Sequence, residues 1–242
     1  VVELTDKISL ELPPDATNLT SPKAKYSFEG CEYIGSVLNG LRHGYGELTI
    51  GELKYVGEFF AGMKHGFGTI TYGPNGGSYE GFFKEGKKNG KGIRKFPGGN
   101  IYKGDYRNDE RQGEGVMYWV NTGEKYKGFW DKNKRKGFGM YNWEGADRPF
   151  ANRFVGFWED DLKEGSGIWL YGNGNYFCGS WKADEKDGLG FMVDRFGKQT
   201  TLQFSKGKSV KVTPGVPKKP VKVASIKRMS NTEVNALKKS ND

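Results

Sequence analysis

The chain has 242 residues and a net charge of +9, with 38 Gly and 14% aromatic residues. Leu, Ile and Val are sparse, which excludes an ordinary aliphatic core and leaves Tyr, Phe and Trp to supply the apolar bulk. No apolar run approaches the roughly 20 residues of a membrane helix and no secretory leader is read at the start.

In chain order, residues 1–25 form a lead in which Ile8, Leu10 and Leu12 alternate before Pro13 and Pro14. Two readings stand for it: a strand that pairs with an edge, or a segment without regular structure. The chain starts at Val1 rather than Met, which leaves room for an earlier piece.

Residues 26–207 read as a tandem array. A phrase Tyr-x-Gly-x-aromatic, followed by Gly-x-Gly, starts at Tyr33, Tyr55, Tyr79, Tyr102, Tyr126, Phe154 and Phe177, with a degraded copy near Thr200. Successive starts lie 22, 24, 23, 24, 28 and 23 residues apart, and a fixed period of this kind marks stacked supersecondary units. Counting the first aromatic as position 0, positions 0, 2 and 4 fall on one face of a strand because side chains alternate. Position 2 is glycine throughout, at Gly57, Gly81, Gly104, Gly128, Gly156 and Gly179 among others. Position 4 runs through Phe59, Phe83, Tyr106, Trp130, Trp158 and Trp181. The expected compensation for glycine in a strand is a ring laid across the bare backbone.

The Gly-x-Gly pair, such as Gly66 and Gly68, sits near the end of a polar stretch, Ala61 to His65, that reads as a hairpin loop. Beyond it a second apolar column recurs, and the opposite face carries charges of both signs, among them Glu58, Glu80, Lys103 and Lys127. Each repeat is therefore one β-hairpin, and consecutive hairpins pair into one elongated, single-layer, all-β antiparallel meander. At about 10 Å per hairpin the array would span roughly 80 Å.

The long interval inserts a loop over 144–153 that carries Pro149 and Phe150, and such loops are favoured contact points. Residues 208–242 form a flexible, Pro/Lys-rich tail in which Ser230 to Glu233 resembles a capping box for a short helix ending at Lys239. The tail holds nine basic and two acidic residues, so the rest of the chain carries only +2. That separation argues against a nucleic-acid groove on the array, whose face is read as offering no Lys/Arg stripe.

The repeat resembles the MORN repeat, whose signature is Tyr-x-Gly-x-Trp-x-x-Gly-x-x-His-Gly-x-Gly, over roughly residues 29–207. The stretch from Asn100 to Gly167 is similar to the MORN component of ciliary radial spoke heads. The resemblance implies a non-catalytic scaffold of the cytoskeleton, placed in the axoneme of a cilium or flagellum. Its implied partners are other radial spoke head proteins, including sister MORN subunits, and exposed strand edges suit self-association. The expected partner-binding residues are Phe59, Phe83, Tyr106, Trp130, Trp158 and Trp181 on the aromatic face, with Pro149 and Phe150 in the inserted loop. Gly57, Gly66, Gly68, Gly81, Gly104, Gly128, Gly156 and Gly179 are expected to be structural. No catalytic residue, cofactor or metal site is expected: His43 and His65 have no ligand cluster around them. An alternative is an adaptor that tethers partners to anionic lipid through its basic tail.

Overall fold

The computed structural model describes residues 23–28, 30–143 and 152–211. Among these, seventeen strands run from Lys23–Phe28 to Lys208–Lys211. Each pairs antiparallel with the strand before it and the strand after it, giving one continuous meander. Non-consecutive strands make at most glancing contact, so the sheet is a single layer that does not fold back on itself. Among the described residues, sheet structure spans Lys23 to Lys211, slightly beyond 26–207 at both ends. The alternating Ile8, Leu10 and Leu12, the loop residues Pro149 and Phe150, and the helix expected near Ser230 lie outside the described residues.

The second repeat shows why the sequence folds locally as it does. Strands Leu53–Phe60 and Met63–Tyr72 are joined by only two residues, Ala61 and Gly62, at φ 46° and 83°. Two positive φ values in a two-residue connection match a type I′ turn, whose twist suits the flanking strands. The polar stretch expected to be a loop is therefore mostly strand, because Met63, Lys64 and His65 lie inside Met63–Tyr72. The surplus is absorbed by a bulge: Gly57 pairs with Gly68, but Phe59 pairs with Lys64.

The bulge separates the roles of the two glycines. Gly66 sits in it at φ 56°, backbone that L residues rarely adopt, and the Glu58 carboxylate accepts the N–H of Phe67 beside it at 2.8 Å. Gly68 answers a different need. A Cβ there would lie 2.5 Å from the Tyr55 hydroxyl oxygen. Glycines at position 2 and in the second place of the pair face one another across the sheet, Gly35 to Gly46, Gly57 to Gly68 and onward. A Cβ on a position-2 glycine would come 2.5–2.9 Å from its partner's Cα, so the row must stay bare.

The position-0 rings fill the trough above this row. Tyr55, Tyr79, Tyr102, Tyr126, Phe154 and Phe177 are fully buried, and each meets the position-4 rings of its own and the next repeat. These contacts are edge to face, with centroids 5.0–5.7 Å apart and planes at 77–89°. Geometry of this kind adds about 0.5–1.5 kcal/mol per pair beyond area burial. One continuous aromatic ladder thus replaces an aliphatic core.

The opposite face departs from the mixed, wet surface expected of it. Charges do alternate with apolar residues through the first repeats. From Met140 onward, however, the cross-strand row reads Met140, Val155, Ile168, Cys178 and Phe191, with Phe138 beside Phe157 in the next row. Phe138, Val155 and Ile168 are buried. The charged positions alone do not display this change, because apolar residues replace charges in the later repeats only.

Candidate interaction face

The six rings expected to receive a partner are where the ladder is tightest. Phe59, Phe83, Tyr106, Trp130, Trp158 and Trp181 are only 3–5% exposed. The indole N–H groups of Trp130, Trp158 and Trp181 donate to the carbonyl oxygens of Gly115, Gly139 and Gly167 at 3.3–3.4 Å. With their surface taken by neighbouring repeats, these rings are core, and their expected role as direct partner contacts is corrected. The structural glycines Gly57, Gly66, Gly68, Gly81, Gly104, Gly128, Gly156 and Gly179 lie in the row and bulges described above.

A basic residue covers the ladder in every repeat. Position 9 is Arg42, Lys64, Lys88, Arg111, Arg135, Lys163 and Lys186, and each cation lies over rings of its own and the next repeat. The closest are Arg135 over Trp158 at 4.2 Å and Arg111 over Trp130 at 4.3 Å. Such contacts stabilise by about 0.5–2 kcal/mol according to desolvation. A Lys/Arg stripe therefore does exist, contrary to the sequence expectation. It was legible in the sequence, but only by comparing one position across repeats. Summed charge conceals it.

Burial lowers the pKa values of Lys64, Lys88 and Arg111; for Lys64, Lys88 and Arg42 add repulsion in the same direction. The later cations have closer acidic partners. Arg135 Nε lies 2.9 Å from Asp161, and Lys163 Nζ lies 2.8 Å from Asp184. Burial tends to raise the Asp184 carboxyl, but hydrogen bonds from the Lys163 ammonium and backbone outweigh it, and the net shift is downward.

These carboxylates also tie each turn to the preceding hairpin. The second turn residue donates its N–H to the position-9 carbonyl of the repeat before, as from Asp109 to Lys88 at 3.0 Å and from Asn133 to Arg111 at 3.1 Å. Where that residue is Asp or Asn, its side chain accepts the position-9 N–H in return: Asp109 from Lys88, Asn133 from Arg111, Asp161 from Arg135, and Asp184 from Lys163, at 2.9–3.0 Å.

Surface for a partner remains on one flank of the ladder. Tyr72, Phe96, Trp119, Trp143, Trp169 and Tyr171 pack against it while staying half-buried. Trp143 stacks on Trp169 at 4.7 Å, and Arg94 lies 4.2 Å over Tyr72 and 5.4 Å over Phe96. Partly exposed aromatics beside Arg are the side chains most often found as interface anchors. The two histidines flank Phe60 at 5.2 and 5.6 Å, and among the described residues no group of His, Cys, Asp and Glu has the arrangement of a metal site.

The family model described as MORN repeat matches seven segments, residues 33–51, 55–77, 79–101, 102–124, 126–147, 154–176 and 177–195. Together they cover more than half of the chain. No curated protein matches it. Among solved structures, the chain is similar to the SAS-4 (dCPAP) TCP domain of Drosophila melanogaster, solved in complex with a proline-rich motif of Ana2 (dSTIL). Identity is 13% and the TM-score 0.32, over 81% of this chain and 97% of that one. A likeness this weak carries no functional argument.

Proposed function

The chain belongs to the MORN-repeat family, and from that premise we propose that it is a non-catalytic scaffold that binds other proteins. One observation carries this reading. The ladder saturates its own position-4 rings, yet among the described residues a flank of half-buried aromatics from Tyr72 to Tyr171 has no second layer of structure above it. Partly exposed aromatic rows of this kind mark interaction surfaces rather than pockets for chemistry.

The finer reading places the scaffold in the radial spoke head of a motile cilium or flagellum, beside other spoke-head proteins and a sister MORN subunit. The similarity of residues 100–167 to the radial spoke MORN component supports it. The two end strands, Lys23–Phe28 and Lys208–Lys211, each have one pairing edge open among the described residues, which suits addition of a further strand or a second copy. Tagged protein expressed in ciliated cells should decorate axonemes and co-purify spoke-head subunits. Signal confined to the cytoplasm or cell cortex would remove the spoke assignment.

A second reading rests on the charge of residues 208–242, nine basic against two acidic. Near anionic lipid each well-placed Lys or Arg contributes about 1 kcal/mol, enough to tether the array to a membrane surface. Lys208–Lys211 pairs in the sheet, so the tether would be residues 212–242. Co-sedimentation with phosphatidylserine vesicles tests it: salt-sensitive binding should vanish when 212–242 are deleted, and undiminished binding would reject it.

A further inference from the structure

The position-9 cations are not all neutralised to the same degree, and Lys186 in the last repeat donates to the Tyr171 hydroxyl rather than to a carboxylate. In the later repeats Arg135 and Lys163 hold carboxylates at 2.9 and 2.8 Å. In the first four repeats Arg42 and Arg111 donate instead to backbone carbonyl oxygens, of Gly62 at 2.9 Å and Asn133 at 2.7 Å. Lys88 reaches Asp109 only at 3.7 Å, and Lys64 rests on the rings of Tyr55 and Phe83. Arg94, stacked on Tyr72, adds a further cation to the same face. The basic strip therefore carries excess positive charge, and half-buried Tyr72 and Phe96 lie under Arg94 at its border.

The period of the strip narrows what fits. Two strand spacings of about 4.8 Å set successive cations roughly 10 Å apart. A β-strand repeats the same face every two residues, at about 6.7 or 13 Å, and falls out of phase. An α-helix rises about 1.5 Å per residue, so a carboxylate at every seventh residue returns at about 10.5 Å on nearly the same face. Apolar residues three and four places on would then lie on the bordering rings.

We propose that the strip formed by Arg42, Lys64, Lys88, Arg94 and Arg111, with Tyr72 and Phe96, receives an acidic amphipathic helix of a partner protein that carries one carboxylate per heptad. This rests on the scaffold reading and specifies the partner chemistry for that face. Twist between strands turns the strip away from a straight rod, so the helix engages about three repeats, or roughly 20 residues. The carboxylates meet cations that are already partly desolvated, and electrostatic pairing of this kind governs specificity and encounter rate.

The test uses the full chain and fluorescence anisotropy of labelled helical peptides of about three heptads. One peptide carries Glu and Leu in phase with the heptad. A second has the same composition with Glu spread around the helix, and a third is a Glu-Pro-Pro polyproline repeat with a period of about 9.3 Å. The in-phase helix is expected to bind about tenfold more tightly than the other two. The variant Lys64→Gln/Lys88→Gln should erase that preference, while Lys64→Arg/Lys88→Arg retains it and reports that charge, not packing, is read. Equal binding of the three peptides, a preference for polyproline, or a preference that survives Lys64→Gln/Lys88→Gln overturns the inference. Phosphatidylserine vesicles that bind through the same two lysines and displace the in-phase helix overturn it as well. Spoke-head subunits that still co-purify with Lys64→Gln/Lys88→Gln would defeat the helix site and leave the scaffold standing. Wild-type protein that captures none would defeat the spoke-head scaffold reading whatever the peptides do.

Discussion

Tyr102 and Trp130 belong to successive repeats, yet their rings meet edge to face with centroids 5.4 Å apart and planes at 88°. The indole N–H of Trp130 then reaches back to the Gly115 carbonyl at 3.3 Å, so one residue closes both the ring contact and a backbone acceptor of the previous hairpin. The stack is held by such pairs and not by the hairpins singly. Trp130→Ala should lower stability by about 3–5 kcal/mol, measured by urea unfolding of the full chain. Tyr102→Phe removes only the hydroxyl that donates to the Asp105 carbonyl at 3.1 Å, and should cost no more than about 1.5 kcal/mol. Phe154 and Phe177 already occupy the equivalent place without that bond.

Glycines of the row and glycines of the turns should respond differently. In Gly68→Ala the new methyl would meet the Tyr55 ring and hydroxyl at 2.5–2.7 Å, and the expected loss is about 1–3 kcal/mol or more. Gly40 has φ 75° and nothing within 4 Å of a Cβ, and Asn tolerates that conformation. Gly40→Asn should leave the urea midpoint nearly unchanged.

The side-chain bonds from turn to preceding hairpin can be removed or added. Asn133→Ala deprives the Arg111 N–H of its 3.0 Å acceptor and places Ala at φ 71°. The expected cost is about 1–2 kcal/mol. Gly86 occupies the same turn position, donating to Lys64 at 2.8 Å with open space at its Cβ. Gly86→Asn would offer the Lys64 N–H the missing acceptor and is expected to stabilise by about 0.5–1 kcal/mol. A double-mutant comparison of thermal midpoints checks both signs.

Alkaline pH should unfold the array cooperatively. Burial, the largest cause for each, pushes the phenols of Tyr55, Tyr79, Tyr102, Tyr106 and Tyr126 well above the ordinary value of 10.0. A folded-state value raised above the unfolded one contributes stability that is complete below pH 10 and declines as pH rises beyond it. The unfolded chain then releases phenolic protons that the folded chain retains. Tyrosinate absorbance of these rings should therefore appear together with loss of β-sheet circular dichroism. Stepwise ionisation with the sheet intact would contradict the burial described here.

The repeat, the hairpin and the aromatic–glycine–aromatic face were legible because each obeys a strict alternation at fixed positions. The turn was harder to place. Ala61, Glu85 and Lys132 sit at positive φ although none is a characteristic turn residue, and the bulge at Lys64 to Gly66 conceals how short the connection is. Position-4 rings such as Trp158 are plain as a column in the sequence while their burial is not, because sequence shows a row of aromatics without showing what lies across it. Arg42 to Lys186 form a column that a count of charge does not display. The apolar row from Met140 to Phe191 follows from cross-strand register, and no single repeat displays it.

The central claim is that partners engage the half-buried aromatic flank and not the buried ladder. Its most direct measurement is recovery of spoke-head subunits on tagged full-length protein against the variant Trp119→Ser/Trp143→Ser, each verified as folded by circular dichroism and urea unfolding. Trp119 and Trp143 both contact Tyr141, at 5.4 and 4.3 Å, and keep part of their surface open to solvent. The account predicts capture by the wild type and loss of at least about tenfold in the folded variant. Equal recovery by the folded variant would contradict it.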